Sequence, residues 1–246
     1  IPRHGECEFN NVEFKTKISF NEYGRFSYHP NKNKKGIAVL GDSFAMGWGV
    51  NDDETFSAIL EKQINQSVYN LAVSGYGTRR ELIRLSKSNL LSKIDTIILQ
   101  YCYNDYGENF SLEKNSSEDS NNKFNIITSG KEISFWTKLR KSIRYSVTIP
   151  IDLITKKNAI IDFKDHRTIL VDLIKKYPEI SNKRIIIFYV NGPNIKFSNF
   201  SNLNDQSKNF TFVDISLNKE HYFKIDNHLN LSGHKHIAKE LKKILR

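Results

Sequence analysis

The sequence predicts an α/β protein whose parallel sheet of about five strands is covered by helices on both faces. Two observations carry that reading. Apolar runs such as Ile37–Leu40 and Ile185–Val190 are too short for helices, and they lack the alternation of a half-exposed strand, so they read as strands buried on both sides. Between such runs lie segments with apolar residues three and four positions apart, the spacing of amphipathic helices. The 246 residues suffice for one domain with a sizeable core, and no repeat or linker divides them, so a single domain over 1–246 is expected.

Taken in order, residues 1–35 are polar and aromatic. They form an N-terminal extension expected to pack on the domain, with extended pieces at Val12–Phe20 and Gly24–Tyr28. Ile37–Leu40 is the first strand. Asp53–Ile64 carries Phe56, Ile59, Leu60 and Ile64 at helical spacing, and Val68–Val73 reads as the second strand. Thr78-Arg-Arg-Glu81 has the form of a capping box, in which threonine and glutamate each satisfy a free N–H, and it opens a helix to about Leu91. Asp95–Tyr101 is the third strand. Residues 107–160 form an insertion: 107–135 is polar without periodicity, as in a loop or lid, and 136–156 is expected to hold a basic amphipathic helix. Asp162–Tyr177 is a helix stopped by Pro178. Lys183–Val190 and Phe210–Ile215 are the fourth and fifth strands, and Leu231–Leu245 closes the chain as a helix.

Composition narrows the function classes. Hydrophobic residues at 39% and charged residues at 26% are ordinary for a globular chain, and the apolar runs are far too short to cross a bilayer. The chain opens on Ile1 rather than methionine, which leaves room for an export signal or anchor upstream. Its Lys-, Asn- and Ile-rich make-up points to an A/T-rich bacterial genome. The formal charge of +10 gathers in Asn31–Lys35, Lys138–Arg144 and His234–Arg246. Two readings stand: attraction to an anionic glycan or membrane surface, and ordinary solvated helix faces. No stacking or finger motif accompanies the charge, so nucleic acid is not an expected partner. Cys7 and Cys102 do not make a disulfide framework, and whether they are bridged is left open. Neither has a partner at metal-ligand spacing, and no metal or cofactor is expected.

The chemistry begins where the first strand ends. Ile37-Ala-Val-Leu-Gly-Asp-Ser-Phe-Ala-Met-Gly sets the Ser43 hydroxyl on a tight bend, with backbone N–H groups beside it to receive an anion. In parallel sheets ligands bind at the carboxyl ends of the strands. Ser43, Gly75 and Asn104 each fall just past a predicted strand, and Asp226 and His228 fall in the loop before the last helix, so one sheet edge can gather all five. Ester cleavage needs a nucleophile, a base, a group to orient the base and donors for the oxyanion. Ser43, His228 and Asp226 supply the first three. The N–H groups of Ser43 and Gly75 with the Asn104 amide supply the last. His234 and His236 lie inside the last helix, where His234 reads as a packing or solvent residue, and Asn230 reads as that helix's N-cap. Asp105 is expected to brace its loop.

Four blocks in this order, Gly41-Asp42-Ser43, Gly75 within Asn70-Leu-Ala-Val-Ser-Gly-Tyr-Gly, Asn104-Asp105 and Asp226-Asn-His228, resemble the SGNH (GDSL) hydrolase family from about Gly36 to the C-terminus. The resemblance implies a three-layer, flavodoxin-like fold and hydrolysis or transfer of O-acyl groups. Many members set the aspartate three residues before the histidine; here the spacing is two, in an Asp-x-His-Leu-Asn form with a following Gly-His that is similar to a variant of the last block. Tyr101 and Tyr103 stand before Asn104 where a small residue is often found, and their bulk is expected to narrow the acyl pocket towards acetyl. The first functional expectation is thus a serine esterase cleaving a small O-acyl ester on a carbohydrate. An O-acyltransferase acting on a glycan hydroxyl and a non-catalytic glycan-binding module are the alternatives. A glycan substrate fits the cell envelope or periplasm better than the cytoplasm.

Overall fold

The computed structural model of the protein describes residues 5–28, 35–103, 105, 106, 108, 109, 159–201 and 209–246. In chain order the elements are β1 (Gly5–Asn10), β2 (Lys15–Phe20), β3 (Gly36–Leu40), α1 (Ser43–Met46), α2 (Phe56–Ile64), β4 (Val68–Asn70), α3 (Thr78–Ser86), β5 (Ile94–Tyr101), β6 (Ala159–Asp162), α4 (Lys164–Lys175), α5 (Pro178–Ser181), β7 (Arg184–Tyr189), β8 (Ile195–Ser198), β9 (Phe210–Val213) and α6 (Leu231–Leu245).

Five parallel strands form the central sheet in the order β4-β3-β5-β7-β9. Numbered among themselves along the chain, these read 2-1-3-4-5, the flavodoxin-like winding. The chain steps outward from β3 to β4 and then back across to β5, so the strand order reverses between β3 and β5. A crevice opens at that reversal, outside the carboxyl ends of the two strands.

The strands are buried on both faces, and their alternating side chains feed two separate cores. Ala38, Leu40, Ile97, Leu99, Ile185 and Ile187 pack with Leu82 and Leu85 of α3 and Leu170 and Ile174 of α4. Ile37, Val39, Ile98, Ile186 and Phe188 pack with Phe56 and Leu60 of α2 and Ile237 and Leu241 of α6. Burying each Val, Leu, Ile or Phe among them stabilises the fold by about 1.5–3 kcal/mol. The result is the three-layer α/β sandwich that the sequence predicts.

Several element expectations need correction. Gly77, not Thr78, is the N-cap of α3, and no capping box forms: Thr78 Oγ1 turns to Asp105, and the Glu81 carboxylate is buried. That helix stops at Ser86 instead of about Leu91. The second strand ends at Asn70, although the ladder runs on through Leu71 N–H to Val39 O and Val73 N–H to Gly41 O. Asp162 ends a strand rather than opening α4, since β6 pairs in parallel with β8, and neither strand is visible as a periodic run. β1 also escapes the sequence reading; its burial shows only weak alternation, and it gains definition by pairing with β2. Cys7 and Cys102 are not bridged by a disulfide. The expected insertion falls mostly on 110–158, outside the described residues, as do the basic segment 138–144 and Asn104.

Hydrogen bonds tie the N-terminal segment to the sheet and to the turn after α1. Arg25 N–H donates to Asn70 O, 3.0 Å away. The fully buried Arg25 guanidinium donates to Met46 O (2.8 Å), Gly47 O and Val50 O (2.5 Å), and its Nε meets Asp52 Oδ1 at 3.0 Å. A buried cation is tolerated here because almost every donor has an acceptor.

Candidate active site

Ser43 begins α1, a single turn directly after β3. The bend between them depends on Gly41, whose φ of +149° lies in the region that favours glycine. A Cβ there would meet Ala45 Cβ and Gln100 Oε1, each at 2.6 Å. Gln100 on β5 holds the bend from below: its Oε1 accepts from Asp42 N–H at 3.2 Å and its Nε2 donates to Val190 O at 3.4 Å. Asp42 caps the turn by accepting from Phe44 N–H at 2.9 Å. Burial pushes the Asp42 carboxyl up to about 6, against the opposing pull of that N–H and of His228.

Ser43 Oγ lies 2.8 Å from His228 Nε2, and His228 Nδ1 lies 2.5 Å from Asp226 Oδ1. With Nδ1–H donating to the carboxylate, Nε2 is left to accept the serine proton. Residues 185 positions apart in the chain thus meet at the crevice beside the strand reversal. Burial alone would raise Asp226, but its hydrogen bond with His228 and the charge of that ring outweigh it and hold the carboxyl below its ordinary value. The second Asp226 oxygen accepts from Trp48 Nε1 at 3.3 Å. The His228 ring also packs against Phe44, with centroids 4.9 Å apart.

Gly75 sits where β4's ladder runs out. Its φ is +76°, and nothing lies within 4 Å of where a Cβ would point, so that side of the loop is open. Arg80 fixes the loop: Nη2 donates to Gly75 O at 2.5 Å, and the same guanidinium binds Glu108 through two contacts at 2.8 and 2.5 Å. Among the described residues neither the Ser43 nor the Gly75 N–H has a hydrogen-bond acceptor. Asn104 lies outside the described residues, but its neighbours are tied down. Tyr103 N–H donates to Asn191 Oδ1 at 2.8 Å, and Cys102 N–H donates to Asp105 Oδ2 at 3.1 Å. Asp105 therefore braces the loop.

Tyr101 is corrected as a pocket-narrowing residue. It is 0% exposed, and its hydroxyl contacts His166 Nδ1 at 2.9 Å, within an aromatic cluster with Phe163 and Phe197 on the α4 side. Tyr103, two residues on, points to the surface instead. His234 is a packing residue, with one further duty. Its Nδ1 accepts from Phe56 N–H at 3.2 Å, capping α2, and burial lowers the imidazole to about 3, which keeps it neutral. Asn230 caps α6 by accepting from Gly233 N–H at 3.1 Å, as expected.

Sequence reasoning missed Gln100, Trp48, Arg80 and Glu13. Gln100, Arg80 and Glu13 act on the site from other elements, so no local spacing links them to Ser43 or His228. The tryptophan alone was in view, two residues past the Ala-Met end of the Ser43 segment. Among the described residues no group of three or more His, Cys, Asp or Glu could hold a metal ion, and no helix is long and apolar enough to cross a membrane.

No family model matches the chain, and no curated protein sequence matches it. Solved structures do. A protein assigned to the G-D-S-L family of lipolytic proteins from Desulfitobacterium hafniense is 13% identical over 86% of this chain and 99% of its own, with a TM-score of 0.44. The psychrotrophic esterase EstA from Pseudoalteromonas is 14% identical over 86% and 99%, with a TM-score of 0.48. An acetyl xylan esterase from the rumen bacterium Butyrivibrio proteoclasticus is 16% identical over 94% and 69%, with a TM-score of 0.47. The strand order β4-β3-β5-β7-β9 carries the fold assignment.

Proposed function

We propose that this protein is a serine ester hydrolase of the SGNH (GDSL) type that removes a small O-acyl group, acetyl above all, from a carbohydrate. The observation that carries the reading is the continuous hydrogen-bonded line from Ser43 Oγ through His228 to Asp226. Ser43 Oγ attacks the acyl carbonyl while His228 Nε2 takes its proton, and Asp226 stabilises the imidazolium that forms. The oxyanion is received by the N–H groups of Ser43 and Gly75, with the Asn104 amide as the third donor implied by the family resemblance. The imidazolium then protonates the leaving sugar hydroxyl, and water activated by the same histidine releases the acid. The choice of a sugar ester is in keeping with the acetyl xylan esterase among the structural neighbours. Acyl transfer to a second sugar hydroxyl would use the same acyl-enzyme.

The test is hydrolysis of p-nitrophenyl acetate and of an acetylated oligosaccharide by the wild type, Ser43→Ala and His228→Ala. Each substitution should lower kcat by roughly 10³-fold or more, as removal of a member of such a unit does elsewhere. Equal rates in all three proteins would remove the esterase reading. A preference for octanoyl over acetyl esters would remove the small-acyl part of it.

A further inference from the structure

We infer that Glu13, at the tip of the N-terminal hairpin, is a positioning residue for the reaction at Ser43, acting by clamping the loop that carries Asp226 and His228. The inference rests on the proposed esterase reading and deepens it. Three successive backbone N–H groups of that loop donate to the one carboxylate: Lys224 N–H to Oε1 at 2.7 Å, Ile225 N–H to Oε2 at 2.9 Å and Asp226 N–H to Oε2 at 2.8 Å. Consecutive N–H groups turned to one side form a concavity suited to an anion, and here the protein supplies the anion from more than 200 residues away. The last of the three belongs to Asp226 itself.

Both sides of this clamp are fixed. The hairpin turn is set by Asn11, whose Oδ1 accepts from Glu13 N–H and Phe14 N–H, both at 2.8 Å. Phe9 and Phe14 pack on Trp48 at 4.7 and 6.1 Å between centroids, and Phe14 packs on Phe223 at 5.0 Å. The loop itself is a tight reversal in which Phe223 N–H donates to His228 O at 2.8 Å and Asn227 takes the left-handed φ of +64°. Two routes from the same hairpin region therefore converge on Asp226. Glu13 fixes its main chain, and Trp48, wedged against Phe9 and Phe14, fixes its carboxylate. Without the Glu13 carboxylate, three N–H groups lose their acceptor together, and the reversal can turn so that Asp226 no longer faces His228 Nδ1.

The test is a double-mutant cycle on the full chain, with kcat and KM measured on p-nitrophenyl acetate for wild type, Glu13→Ala, Asp226→Ala and the pair. Glu13→Ala should lower kcat about 10- to 100-fold, the size of effect that a misplacement of about 1 Å produces, with KM changed by less than about threefold. In the Asp226→Ala background the same change should have little further effect, because its target is gone. Should Glu13→Ala fail to fold, as judged by its thermal transition, Glu13→Gln carries the same cycle. Its amide oxygen can still accept from part of the loop, so its loss should be smaller than that of alanine and equally absent without Asp226. A Glu13→Ala kcat within threefold of wild type, or a loss undiminished in the Asp226→Ala background, overturns the inference while leaving the esterase reading intact. Ser43→Ala in the same assay separates the two: wild-type activity in that variant removes both.

Discussion

Trp48 shows how a single side chain joins packing to chemistry. Its ring lies between Phe9 and Phe14 on one side and His228 on the other, and its Nε1–H reaches Asp226 Oδ2. Trp48→Phe would keep an aromatic body against Phe9 and Phe14 but remove that donor. We expect kcat on p-nitrophenyl acetate to fall about fivefold, the rate equivalent of one hydrogen bond worth about 1 kcal/mol, with the thermal midpoint nearly unchanged. A midpoint drop without a rate change would show that the ring, and not its N–H, is what matters. At this scale the sequence was informative about Ser43, Asp226 and His228 because each sits in a block whose residue types suit the chemistry. It was silent on Gln100, Arg80 and Glu13. A glutamine in a strand, an arginine in a helix and a glutamate in a turn have no spacing that ties them to a distant bend.

Among the elements, the segment from Arg25 to the turn after α1 carries the most consequence per residue. The Arg25 side chain donates to the carbonyls of Met46, Gly47 and Val50, and Gly47 O accepts from Val50 N–H as well, at 3.4 Å. Arg25→Leu would take the guanidinium donors from all three carbonyls and leave Asp52 without its cation, costing roughly 3–5 kcal/mol of stability, the range for breaking one side of a buried pair. Urea unfolding of the two proteins measures it, and a loss below about 1 kcal/mol would mean that water replaces the guanidinium. The helices and buried strands of the central sheet were legible from apolar spacing, and α6 matches its expected bounds. The capping box at Thr78 was misread because Gly77 already ends the preceding loop in an extended conformation, which frees Thr78 and Glu81 to turn inward. β6 and β8 were not legible, since four-residue strands in a separate pair leave no periodic trace.

For the molecule as a whole, an unusual charge economy lies under the crevice. Asp42 from the turn after β3, Glu81 from α3 and Asp105 from the loop after β5 are all nearly inaccessible and close enough to feel one another. Neither Glu81 oxygen has a hydrogen-bond partner among the described residues. Burial first, then the charges of Asp105, Asp42 and Glu108, raise the Glu81 carboxyl well above its ordinary value of 4.5, with only Arg80 opposing. The folded protein thus holds this proton more tightly than the unfolded chain does. Its stabilising contribution is full below about pH 4.5 and fades as the pH climbs towards the raised folded value. Glu81→Gln cannot lose a proton, so its thermal midpoint relative to wild type should rise between pH 4 and pH 8. At this chain size each kcal/mol corresponds to roughly 2–4 °C. A difference that stays flat or falls over that interval would show that Glu81 is ionised and compensated in the fold.

By itself the sequence determined the α/β class and the run of buried strands between amphipathic helices, and it singled out the residues proposed as nucleophile, base and orienting acid. Those features are local: a strand or helix writes its period into consecutive residues, and a reactive bend needs particular neighbours in the chain. Only the tertiary structure decided that Ser43 and His228 lie within hydrogen-bonding distance, that Glu13 and Trp48 converge on Asp226, and that three buried carboxyl groups lie close enough to feel one another. Such contacts join segments tens to hundreds of residues apart, and a side chain that acts across space leaves no period in the sequence that carries it.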